Sequence, residues 1–152
     1  MSAVNLKKHW ANLKYPLAPS GENKLVFKNH LKKGSTLLLG STKLLLDLCD
    51  QALDIEPLYP DPKIIIGNWI ENNKFFNNII GDGVLNFNPI LCANILEMAS
   101  KNSHQFLVRA FNSKLDTMVV AEYFPKPSDF KIKPEVIFKN DIYSFYKWIF
   151  IS

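Results

Sequence analysis

The chain has 152 residues, 47% of them hydrophobic, which fits one domain with a sizeable core. Its net charge of +4 comes from lysines scattered singly or in pairs such as Lys7-Lys8 and Lys32-Lys33, with Arg109 the only arginine. This pattern reads as a solvated surface and argues against a nucleic-acid surface, since bidentate phosphate and base contacts are usually made by arginine.

Residues 4 to 14 suit a short helix that places Trp10 and Leu13 near one face, and "YPLAPSGEN" breaks it with two prolines and a glycine. A second helix is predicted from about Ser20, where Ser-Gly-Glu-Asn supplies a cap. It runs through "KLVFKNHLKK" with Leu25, Val26 and Leu31 inward and ends at Gly34. Thr36 to Leu39 reads as a buried strand, and the leucine-rich segment 43 to 52, with Cys49, as the helix after a short turn. "ALDIEP", "PDPKIIIGNW" and "NNIIGDG" supply three more strands. "NPILCANILEMASK", with a proline in its first turn and Ile90, Leu91, Ile95 and Met98 at helical spacing, is a helix, and "HQFLVRAF" is a fifth strand. The tail "NDIYSFYKWIFIS" fits either helix or strand.

Cys49 and Cys92 lie in leucine-rich sequence and read as buried reduced thiols, so a cytoplasmic setting is expected. The N-terminus has no apolar core of signal-peptide length. No segment approaches the roughly 18 uninterrupted apolar residues of a membrane span. The two distant cysteines and the three scattered histidines, His9, His30 and His104, form no metal-ligand set.

Strands alternating with helices predict an α/β fold, a Rossmann-like three-layer sandwich with a mostly parallel sheet of about five strands. In such a sheet the ligand crevice lies outside the carboxyl ends of the strands. The residues expected there are Gly40-Ser41-Thr42, Glu56, Gly67-Asn68-Trp69 and Gly81-Asp82-Gly83. A tight turn at Gly40 lets backbone N–H groups approach a polar ligand, and Ser41 or Thr42 can cap the next helix. An acid after the second strand can accept from ribose hydroxyls, and Glu56 is the acid chosen, although its spacing from Gly40 is shorter than the usual ~20 residues. Asn68 can pair with an adenine edge and Trp69 offers a flat apolar face. Asp82, between glycines, can meet a ligand amine. Each residue also has a plainer reading: turn geometry for Gly40, solvated loop acids for Glu56 and Asp82, a turn for Asn68, packing for Trp69. No G-x-G-x-x-G or phosphate-binding lysine loop is present, which disfavours redox nucleotides and phosphoryl transfer.

"HWANLKYPLAPSGEN", "LLLGSTKLL", "LDIEP", "IIIGNWI", "IIGDGVLNF" and "QFLVRAF", in that order, resemble the class I S-adenosylmethionine (SAM)-dependent methyltransferases over most of the chain. The resemblance implies that Gly40, Ser41 and Thr42 pass the methionine part of the cofactor, that Glu56 holds the ribose, that Asn68 and Trp69 meet the adenine, and that Asp82 and Gly83 form the turn after the fourth strand. Trp10 and Pro19-Ser20 correspond to an N-terminal segment that covers the cofactor. Residues 1–33 then form a helical cap, 34–111 a cofactor-binding core and 112–152 an aromatic-rich C-terminal segment of a single domain, 1–152.

Three departures stand out: Asn68 where an aspartate is usual, Ala18 where an arginine often stands, and an end at Ser152 before the strand pair that completes the family's seven-stranded sheet. The expectation is therefore an incomplete sheet whose fifth-strand edge is covered either by the final segment "VIFKNDIYSFYKWIFIS" folding back or by a second copy, with a homodimer through the C-terminal segment or the exposed sheet edge favoured. Three functions follow: SAM-dependent methyl transfer to a small molecule, with no base assigned; binding of SAM or S-adenosylhomocysteine (SAH) without turnover; or an interaction module using the aromatic tail around Phe138, Tyr143, Phe145, Tyr146 and Trp148.

Overall fold

A computed structural model of the chain describes residues 14–115 and 123–150; the predicted helix at 4 to 14, with Trp10, lies outside them. Helix α1 (Gly21–His30) begins where the sequence places it. The Ser20 Oγ accepts from the Asn23 N–H at 3.2 Å, and the Asn23 Oδ1 accepts from the Ser20 N–H at 2.9 Å, a reciprocal cap that satisfies two otherwise orphaned donors. Its buried residues are Asn23 and Phe27; Val26 and Leu31 pack against the core as expected, and Leu25, 53% exposed, does not.

Five strands run parallel: β1 (Thr36–Leu39), β2 (Gln51–Asp54), β3 (Ile64–Ile66), β4 (Phe76–Asp82) and β5 (Ser103–Phe111). Helix α2 (Cys92–Asn102) joins β4 to β5 and buries Ile95 and Met98 as expected, whereas Ile90, 91% exposed, lies with Leu91 in the preceding 3-10 turn Pro89–Leu91. Segment 43 to 52 is not one helix. Lys43–Leu48 makes a 3-10 turn, and the chain then enters β2, whose first residue Gln51 stands opposite Leu37. Only residues 40–50 connect β1 to β2, too few for a full crossover helix plus its turns.

The sheet has seven strands, which corrects the expected five and the expected incompleteness. The segment after β5 supplies β6 (Glu135–Lys139) and β7 (Tyr143–Ile149), and the strand order is β3-β2-β1-β4-β5-β7-β6. β7 lies antiparallel between β5 and β6, so "SFYKWIF" is strand, and both neighbours of β5 are filled. The exposed fifth-strand edge on which the dimer was expected does not exist. The edges are β3 and β6.

Alternation along the central strands builds two cores. On one face Leu37, Leu39, Ile79, Phe106 and Trp148 pack with Ile95 and Met98 of α2. On the other, Leu38, Ile80, Leu107 and Phe145 pack with Phe27 of α1 and with Leu45. Tyr143, Phe145, Tyr146 and Trp148 are all buried, so the aromatic tail is core and only Phe138, 42% exposed, keeps a free face. No helix among the described residues is long and apolar enough to cross a membrane.

Candidate functional site at the carboxyl edge of the sheet

The carboxyl ends of β1 to β5 meet at one edge, and the order of connection reverses between β1, which leads to β2, and β4, which leads to β5. A crevice opens at such a switch point. Gly40 follows β1 with φ +98°, a backbone state that side chains disfavour. Its N–H donates to the Leu53 carbonyl oxygen at 2.9 Å, and Trp69 Nε1–H donates to the same oxygen at 2.7 Å. The indole lies over Gly40, where an added Cβ would sit 3.9 Å from Cζ2. Gly40 and Trp69, both expected at this edge, lie together here, and Trp69 is held by a hydrogen bond as well as apolar.

Ser41 is 4% exposed and does not cap a helix. Its Oγ donates to Asp54 Oδ2 at 2.7 Å and accepts from the Leu58 N–H at 3.3 Å. Asp54 Oδ1 accepts from the Glu56 N–H at 3.0 Å. Asp54 is the last residue of β2, half-buried, with its carboxylate fixed in place before any ligand arrives. Sequence reasoning chose Glu56, which lies beyond the strand and is exposed. The signal for Asp54 was present, since it directly follows the buried pair Ala52-Leu53. Thr42 precedes the 3-10 turn Lys43–Leu48 and makes no side-chain cap bond.

Asn68 Oδ1 accepts from the Ile70 N–H at 3.3 Å and so opens the 3-10 turn Trp69–Glu71. A cleft of about 250 Å³ lies beside it on the sheet face, with Leu37, Leu53 and Ile65 as its floor and Asn68, Glu71 and Asn72 at its rim. The cleft exists because a single 3-10 turn stands in the β3-to-β4 connection where a helix would cover the face.

Asp82 ends β4 and Gly83, at φ +69°, turns the chain. The sequence offers Asp82 to a ligand amine, and the structure gives it Arg109. Arg109 Nε donates to Asp82 Oδ1 at 2.5 Å and Nη2 to Oδ2 at 3.0 Å, a bidentate pair in which the side chains are 0% and 6% exposed. Burial pushes the Asp82 carboxyl above the usual carboxylate range, and the guanidinium opposes this by its charge and its hydrogen bonds. The sequence signal for this pair was a lone charged side chain inside the apolar strand "HQFLVRAF". Among the described residues, no group of three or more His, Cys, Asp or Glu could hold a metal ion.

No protein-family profile matches the sequence, and no curated protein matches it. Solved structures do. TehB from Haemophilus influenzae superposes with a TM-score of 0.60 at 12% identity, over 95% of this chain and 67% of that one. Magnesium protoporphyrin IX methyltransferase (ChlM) from Synechocystis PCC 6803 with bound SAH gives 0.61 at 8% identity, over 98% and 95%. The N-terminal domain of EvdMO1 with SAH bound gives 0.55 at 13%, over 91% and 82%. The chain has the Rossmann-like fold of the class I SAM-dependent methyltransferases.

Proposed function

We propose that the protein binds SAM in the crevice between β1 and β4 and transfers its methyl group to a small molecule. The observation that carries this reading is Asp54, held at the end of β2 by Ser41 beside the left-handed turn at Gly40. A carboxylate fixed at that place can accept two ribose hydroxyls without reorganising. Glu56 stands next to it, Asn68 and Trp69 border the adenine end, Thr42 lines the loop, and Gly83 lets the backbone turn close to the ligand. ChlM and EvdMO1, which share the fold, hold SAH. Methyl transfer needs little more, because the sulfonium is already a good leaving group and alignment with the acceptor supplies most of the rate.

A second reading, binding without turnover, draws on the Arg109–Asp82 pair, which spends the acid at the end of β4 that could otherwise face an acceptor. The two buried unpaired thiols suit a reducing compartment such as the cytoplasm. Self-association is assigned to the β3 edge, where Ile64, Ile65 and Ile66 carry no charge, rather than to the C-terminal segment.

Titration calorimetry with SAM and SAH tests binding, and release of labelled methyl separates the two readings. Micromolar binding that weakens about tenfold or more in Asp54→Ala, the worth of a hydrogen bond to a charged group, is the expected result. No heat from folded protein overturns both.

A further inference from the structure

We propose that residues Tyr15 to Asn23 form a strap that opens separately from the rest of the fold, and that the Arg109 guanidinium is the latch that ties it to the carboxyl edge beside Asp82.

The polar ties from this segment to the sheet centre on one cation, and Leu17 adds an apolar contact with the core. Arg109 Nη2 donates to the Leu17 carbonyl oxygen at 3.0 Å as well as to Asp82. Nη1 donates to Asn23 Oδ1 at 3.1 Å. Asn23 Nδ2 donates onward to the Tyr143 hydroxyl at 2.9 Å, which shares a hydrogen bond of 3.1 Å with the Tyr15 hydroxyl. The rings of Phe111 and Tyr143 each lie 4.9 Å from the guanidinium carbon. One buried side chain on β5 therefore holds the loop before α1, the first turn of α1 and the acid at the end of β4.

A buried ion pair is by itself weak evidence of net stability. The desolvation of two buried charges roughly offsets their attraction, and buried pairs are best attested as devices that fix one arrangement among several. The arrangement fixed here is local in sequence. From Tyr15 to Asn23 only Leu17 and Asn23 are buried, Tyr15 is 51% exposed, and the Ala18 N–H bonds only to the neighbouring Lys14 carbonyl at 3.0 Å. A single core side chain, Leu17, and polar ties grouped around Arg109 and Tyr143 describe a segment of low local stability. With the strap closed, Asp82 has 6% of its side chain exposed. Opening the strap removes the Leu17 and Asn23 contacts from Arg109 and uncovers that end of the crevice, so the strap bears on the ligand site proposed above without depending on it.

Amide hydrogen exchange on the full chain tests the latch directly. In the wild-type protein the hydrogen-bonded amides of Ala18, Ser20 and Asn23 are expected to exchange faster than those of β4 and β5, through an opening that leaves the core closed. Tyr15→Phe removes one exposed link. The double variant Asp82→Leu/Arg109→Met replaces the pair with apolar side chains, avoids a lone buried charge and removes both anchors. Exchange of the strap should rise about tenfold or more in the double variant, the factor expected for losing a hydrogen bond to a charged group, and less in Tyr15→Phe, with the core amides unchanged. Strap amides that exchange only with the core, in the wild-type protein and both variants, overturn the proposal. So does an increase spread equally over strap and core. SAH is added as a separate arm: if it produces no heat and no protection while the strap still opens on its own, the cofactor reading falls and the latch stands.

Discussion

Gly40 shows how a single backbone angle can shape the crevice. An alanine there meets nothing nearer than the Trp69 ring at 3.9 Å, so its cost is conformational rather than steric. Gly40→Ala is expected to lose about 1–2 kcal/mol in urea unfolding, the ordinary penalty for a left-handed non-glycine residue. A change below a few tenths would mean that the turn relaxes. Burial pushes the Cys49 and Cys92 thiols up to about 11. Unfolded thiols lose their protons near ~8.5, so this contribution to stability is whole below that pH and fades as pH rises through about 11. Native protein at pH 8 should leave a thiol reagent unreacted until denaturant is added, and a Cys49→Ala/Cys92→Ala variant should show a shallower loss of stability above pH 9. Two features were not legible at the residue scale. Glu56 was chosen as the acid after the second strand, whereas the strand ends two residues earlier, at Asp54, and that side chain is the one the Ser41 hydroxyl reaches. The pairing of Arg109 with Asp82 was not foreseen, because composition does not show that the two stand side by side in register.

At the scale of elements, the helices and central strands were legible where one periodicity dominated. Thr36–Leu39 is buried at every position, and α2 follows its apolar spacing. Segment 43 to 52 was not legible, because a leucine-rich run satisfies helix and strand alike and only the short β1-to-β2 connection decides between them. The tail was ambiguous for a related reason. β7 is flanked on both edges and covered on both faces, so Tyr143 to Tyr146 are buried without alternation. Trp148 anchors that strand: it stacks on Phe106 at 5.6 Å, meets Phe130 edge-on at 5.1 Å and donates from Nε1 to the Ile132 carbonyl at 2.7 Å. Trp148→Ala should therefore cost ~3–5 kcal/mol in denaturant unfolding. Ser20→Ala, which removes one half of the α1 cap, should cost ~1 kcal/mol. Equal losses from the two would contradict the packing described here.

For the whole molecule, the two edges of the sheet are built differently. β6 follows Lys133, carries Glu135 and Lys139 at its ends and is broken by an irregularity between Val136 and Phe138, all features that discourage pairing with another chain. β3 is three isoleucines, with Ile65 44% and Ile66 73% exposed. If β3 mediates association, sedimentation across a concentration series should show a dimer that Ile66→Lys abolishes; a wild-type protein that stays monomeric throughout excludes it. The seven-stranded order also places Gly40, Asp54, Asn68 and Gly83 on one edge, while Asn78 and Gln105 lie buried toward the opposite ends of β4 and β5. The most direct measurement of the account is an NMR amide titration with SAH. It predicts shifts at Gly40, Asp54, Asn68 and Gly83 with Asn78 and Gln105 unmoved; no shifts at saturating SAH, or shifts confined to residues away from the carboxyl edge, would contradict it.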